Sequence, residues 1–153
     1  MKKLNKNNKG FSLVELLVVI AIMVVLVGVV APTLLRNIEK SRVSRDIQTL
    51  DSVAAAVQAT LTAEKANSAA PTGAVELQSI YSAPSPDEFQ KEFKLNLPSG
   101  AGLKLTAKEV KDAKVYFVIE NGAVTVFASK DAAPSKANAI KTTDNNTTFS
   151  VTR

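Results

Sequence analysis

The 153-residue sequence contains no cysteine, no histidine and no tryptophan. Without cysteine there is neither a disulfide framework nor a thiolate metal site. Without histidine, imidazole general-base catalysis, Ser-His nucleophilic pairing and the commonest metal ligand are excluded together. No two carboxylates lie in an apolar surround that would tune them for acid-base work, so the sequence predicts no enzyme and no cofactor.

Acid is missing from the first ten residues, which hold Lys2, Lys3, Lys6 and Lys9. The formal charge of +5 is mainly theirs: setting those four aside leaves 15 basic against 14 acidic side chains. Such a distribution marks a topology or targeting segment, and no specific nucleic acid is expected as a partner.

Charge is missing again from Leu16 to Leu35, twenty residues in which only Thr33 is polar. At about 1.5 Å rise per residue that run crosses a bilayer core of roughly 30 Å. The lysine-rich leader belongs on the cytoplasmic side, because Arg36, Lys40, Arg42 and Arg45 on the far flank are offset by Glu39 and Asp46. Beyond Arg36, Val43, Ile47, Leu50, Ala54, Val57 and Leu61 recur at spacings of four and three, one apolar stripe on a continuing helix. Arg45, Gln48, Asp51, Ser52 and Gln58 occupy the other face, and the spacing predicts a single helix from about Phe11 to about Lys65. Its second half is expected to pack on its own domain; its apolar half must find other partners.

Asn67 to Gly73 is a run of breakers and caps that ends this helix. Ser85-Pro86-Asp87-Glu88 reads as a capping box with Pro at the first helical position, opening a short helix that ends near Phe93. The clearest strand signal is Val115–Glu120, Asn121-Gly122 and Ala123–Ala128. A two-residue turn there pairs Ile119 with Val124, Phe117 with Val126 and Val115 with Ala128, making one face of the ribbon wholly apolar. Further strands are expected near Phe149–Val151 and Leu103–Leu105. The fold class is α+β: a long N-terminal helix packed on a small antiparallel sheet. The expected segments are a leader at 1–10, a transmembrane or filament-core half-helix at 11–35, an amphipathic half at 36–66 and a globular head at 67–153.

Glu15 is a carboxylate at the edge of an otherwise uncharged span, a costly placement that marks a group awaiting a partner. Gly28 and Pro32 lie four apart, so Pro32 lacks the amide that would bond the Gly28 carbonyl, and Gly28 loosens the same turn. They make a weak point in the helix.

The run Lys9-Gly10-Phe11-Ser12-Leu13-Val14-Glu15-Leu16-Leu17-Val18-Val19-Ile20 resembles the class III leader of type IV prepilins: a basic stretch, Gly before the scissile bond, Phe after it and Glu five residues into the mature chain. Pro32, the twenty-second mature residue by that cut, also matches the family pattern. The resemblance implies cleavage after Gly10, N-methylation of Phe11 and pairing of Glu15 with the Phe11 amine of a neighbouring copy. It implies melting around Gly28 and Pro32 on entry into a helical homopolymer built head to tail by a non-closing rotation. The implied partners are a prepilin peptidase and N-methyltransferase, an assembly ATPase with its platform protein, and the cytoplasmic membrane before assembly. On this resemblance the chain is the major subunit of a type IV pilus for surface adhesion or twitching motility, anchored first in the membrane and then extracellular. The alternative within the family is a pseudopilin of a type II secretion or competence system.

An ordinary signal peptide cut near Val29-Val30-Ala31 would explain the topology, as would a single-pass anchor, but neither accounts for Glu15. Asp144-Asn145-Asn146 could suggest a calcium loop; three short polar residues before a strand read instead as a turn, and no metal site is expected.

Overall fold

The computed structural model describes residues 11–142 and 147–153. The leader with Gly10, and the Asp144-Asn145-Asn146 cluster, lie outside the described residues. The described chain forms two compact units that divide between Ile38 and Glu39.

The first unit is one helical segment, the beginning of α1 (Leu13–Leu61). Its side chains from Phe11 through Leu35 face outward almost without exception, and it is long and apolar enough to cross a membrane, with none of that stretch buried against the chain. A helix apolar all round and covered by nothing of its own requires lipid or other helices as solvent.

The second unit is built on the rest of α1. Leu50, Val53, Ala54 and Val57 are fully buried at the three- and four-residue spacing of one helix face, while Val43, Ile47 and Leu61 reach the same core partly buried. Instead of running unbroken to about Lys65, α1 stops at Leu61, where i→i−3 bonds from Thr62 to Ala59 and from Ala63 to Thr60 tighten the last turn. A separate short helix, α2 (Glu64–Ser68), follows.

The sheet has four antiparallel strands in sequence order: β1 (Val75–Glu76), β2 (Lys114–Glu120), β3 (Ala123–Ser129) and β4 (Ser150–Thr152). In the β2–β3 hairpin Val115 pairs with Ala128, Phe117 with Val126 and Ile119 with Val124, the register expected from the two-residue turn. Asn121 and Gly122 both have positive φ, 52° and 81°, as that turn requires. Alternation then sends Val115, Phe117, Val124 and Val126 into the core with α1, while Tyr116 stacks on Phe127 across the opposite face at 5.9 Å, beside Ala139.

The fourth strand is not Leu103–Leu105. That segment is irregular, and its two leucines reach the core partly buried without pairing. The sheet edge is taken by β1, which leads directly into α3 (Leu77–Ser82). The last strand forms one residue later than the Phe149–Val151 expectation.

The short helix expected from Pro86 to near Phe93 is α4 (Glu88–Asn96), which starts two residues later and ends three residues beyond Phe93. Its cap is Asp87, not Ser85: the Asp87 carboxylate accepts the Gln90 amide at 2.7 Å, which leaves Pro86 just outside the helix. Phe89 and Phe93 on α4 stack with Phe117 of β2 at 5.9 and 6.1 Å, filling the space between helix and sheet. Gly100 is required by close approach, since a Cβ there would meet Tyr81 Cζ at 2.7 Å. The Tyr81 hydroxyl donates to the Leu97 carbonyl in the same corner.

Candidate functional site

Phe11 and Glu15 lie at the start of α1, in the first unit. Phe11 is 83% exposed. Helical geometry begins at Leu13, so Glu15 sits in the first turn, where the unbonded amides and the positive end of the helix dipole favour an anion. Its Oε2 accepts the backbone amide of Ser12 at 3.3 Å. That residue pair went unremarked in the sequence, although Ser-x-x-Glu before an apolar run is its usual signature.

Gly28 and Pro32 both fall inside α1, which remains helical through them. No atom lies within 4 Å of where a Gly28 Cβ would stand, so no contact within the chain demands glycine there. The local consequence is backbone weakness: Pro32 cannot donate to the Gly28 carbonyl.

Two acids on α1 have structural partners that the flanking-charge reading did not anticipate. Asp46 is 1% exposed, and its carboxylate accepts from the amides of Thr106 and Ala107 at 2.8 and 2.6 Å and from the Thr106 hydroxyl at 3.0 Å. Glu39, seven residues earlier, accepts the Lys108 amide at 2.5 Å. Together they bind three consecutive amides of one loop. Asp51 takes a bidentate pair from Arg153, at 2.7 Å to Nε and 2.6 Å to Nη2. That fork holds the Asp51 carboxyl below its ordinary range, chiefly through the hydrogen bond, and raises Arg153 in turn. Thr60, on the same face as Asp46, accepts from Asn96 at 3.1 Å and fastens the end of α4.

Among the described residues, no three of His, Cys, Asp and Glu come together in a group that could hold a metal ion. In the second unit Glu39, Asp46, Asp51 and Asp87 serve as caps and clamps. The first unit, by contrast, offers an exposed apolar helix with one carboxylate in its first turn.

Residues 5–31 match the prokaryotic N-terminal methylation motif. Over 139 residues the chain is 30% identical to the type II secretion system core protein G of Klebsiella pneumoniae, covering 88% of this chain and 94% of that protein. No solved structure is matched significantly. The chain belongs to the type IV pilin-like family, whose members are structural subunits and not enzymes. Membership implies processing by a prepilin peptidase and assembly into a filament.

Proposed function

We propose that the chain is cut after Gly10, N-methylated at Phe11 and polymerised through its N-terminal helix into a filament outside the cytoplasmic membrane. The observation that carries this reading is Glu15: one carboxylate, four residues past Phe11, in the first turn of α1 at the edge of an exposed and uncharged stretch that runs to Leu35, within a matched methylation motif. The cut creates an ammonium at Phe11. In lipid, that cation and the Glu15 carboxylate of the next copy compensate one another's charge, and only pairing between copies, not within one, joins subunits.

Residues 11–35 pass from lipid to contact with other stalks, an exchange of one apolar surround for another, so the charge pair and side-chain packing can set register. Gly28 and Pro32 supply a segment that can extend during the transfer. An assembly ATPase and a platform protein drive extraction from the membrane.

The filament is read first as a type IV pilus with this chain as its major subunit, serving adhesion or twitching motility. A mature length of 143 residues and a head rich in Ala, Thr and Ser accord with that. A pseudopilin is the second reading, favoured by the likeness to a type II secretion core protein across nearly its whole length. Imaging with an antibody to the head separates them, since long surface fibres are expected of a pilus and none of a short secretion pseudopilus. Mass spectrometry tests both readings together. A methylated Phe11 terminus is expected, and a terminus at Ala31 or Pro32 would show signal-peptidase cleavage instead.

A further inference from the structure

The first turn of α1 contains a bond that capture of a neighbour does not by itself call for. Ser12 stands at the cap of α1 and Glu15 at its third helical position, the spacing of a capping box. The Ser12 amide donates to Glu15 Oε2 at 3.3 Å, and the Ser12 carbonyl accepts the Leu16 amide at 3.2 Å, closing the first turn around the pair.

We propose that Ser12 is the positioning residue of the assembly acid, its backbone amide holding the Glu15 carboxylate beside the Phe11–Ser12 peptide in the unassembled subunit. The proposal rests on the reading of Glu15 as the group that captures a second copy's amine. A glutamate side chain without a tether samples many rotamers and loses that freedom on capture; one already bonded to Ser12 has lost it beforehand. The bond engages Oε2, and the two oxygens of a carboxylate offer about four acceptor positions between them. An incoming ammonium can therefore bind Oε1 while the cap stays closed. The same tether gives the anion a partner while the subunit waits in the membrane, where an unpartnered carboxylate is costly.

The donor is a backbone group, which separates this role from that of the serine hydroxyl. Ser12→Ala keeps the amide, whereas Ser12→Pro removes it and leaves the helix from Leu13 onward intact. The decisive comparison is amide-proton exchange at Ser12 in the mature subunit, held in detergent micelles. Exchange is expected to be about fivefold slower in the native chain than in Glu15→Ala, the protection that one ordinary hydrogen bond confers.

In cells carrying each variant as the sole copy, Ser12→Ala is expected to keep filament yield within about twofold of native. Ser12→Pro should lower it by about tenfold while cut subunit accumulates in the membrane, the scale of one lost ordering contact. Equal exchange in the native and Glu15→Ala chains, or equal filament loss in the two Ser12 variants, overturns the proposal. If Ser12→Pro blocks the cut, the exchange comparison decides alone. Normal polymerisation of Glu15→Ala as the only copy would instead overturn the reading of Glu15 on which this rests.

Discussion

The carboxylate of Asp46, buried on α1, accepts the backbone amide of Ala107 at 2.6 Å across a sequence separation of 61 residues. With its bonds to the amide and hydroxyl of Thr106, it fixes the entry to the turn at Lys108–Val110, in the loop that precedes β2. Asp46→Ala removes both acceptor oxygens and all three hydrogen bonds at once and strands two amides against the core. The loss should be about 3 kcal/mol, because each donor deprived of its partner costs roughly 1–3 kcal/mol, partly relieved by water. Asp46→Asn keeps one oxygen and should lose less. Urea unfolding of the micelle-bound chain, followed by the fluorescence of Tyr81 and Tyr116, checks the order; an unchanged midpoint in Asp46→Ala would mean that the loop is held by its leucines alone.

The Asp51–Arg153 fork gives a pH dependence of known sign. Its hydrogen bond holds the Asp51 carboxyl below the ordinary aspartate value in the folded chain. A depressed folded pKa contributes stability above the unfolded value of about 4 and loses it as pH falls through the folded one. Arg153→Ala should return Asp51 toward the ordinary range. The stability gap between variant and native chain should be present at neutral pH and close below about pH 4. Titrating the Asp51 carboxyl carbon by NMR in both chains measures this directly. Since both side chains are about two-fifths exposed, added salt should also narrow the gap. A gap that persisted unchanged through the acid range would assign the effect of Arg153 to packing.

Gly28 and Pro32 lie inside a helix in the free subunit, yet no contact within the chain requires glycine at 28. In a filament density map, the segment 28–32 is expected to show a rise per residue well above the helical value of about 1.5 Å, with helical segments on either side. Gly28→Ala, which stiffens the same turn, should reduce filament yield without affecting the cut. A straight, fully hydrogen-bonded helix through Gly28 in the filament would contradict melting.

The hairpin and the buried face of α1 were legible because each repeats a local pattern. Asn121-Gly122 supports two positive φ values, and Val115, Phe117 and Ile119 alternate beside it. Leu50, Ala54 and Val57 recur on a helical period. β1 was not legible: two residues carry no period, and Val75-Glu76 becomes a strand only because β2 offers it an edge. Leu103 and Leu105 have the right alternation, but Asp46 and Glu39 take the amides of the following loop, an interaction written sixty or more residues away. The role of Asp46 was open to view all the same. It stands four residues before Leu50 and seven before Val53 on the buried face, where a charge needs a partner. At the candidate site, Glu15 stands out in the sequence as a charge beside an apolar run and Gly28 and Pro32 as a pair four apart, while Phe11 rests on the family resemblance. The Ser12 amide was legible too, as the backbone partner in Ser-x-x-Glu, but the pattern was not picked out.

The most direct measurement is made on cells whose only copy of the subunit carries Glu15→Ala, comparing processed subunit in the membrane with filament sheared from the surface. On the proposed reading the cut is made at the bond after Gly10, and docking rests on a buried carboxylate meeting the Phe11 ammonium. The variant should therefore be inserted and processed normally yet polymerise poorly. Leaving one member of a buried ion pair without its partner costs about 3–5 kcal/mol, enough to lower incorporation by a factor of at least about a hundred. Mixed with native copies, some variant subunits should still enter filaments through stalk packing. A native filament yield from processed Glu15→Ala subunits would contradict the central claim and leave Glu15 as a residue that merely reaches for the membrane surface.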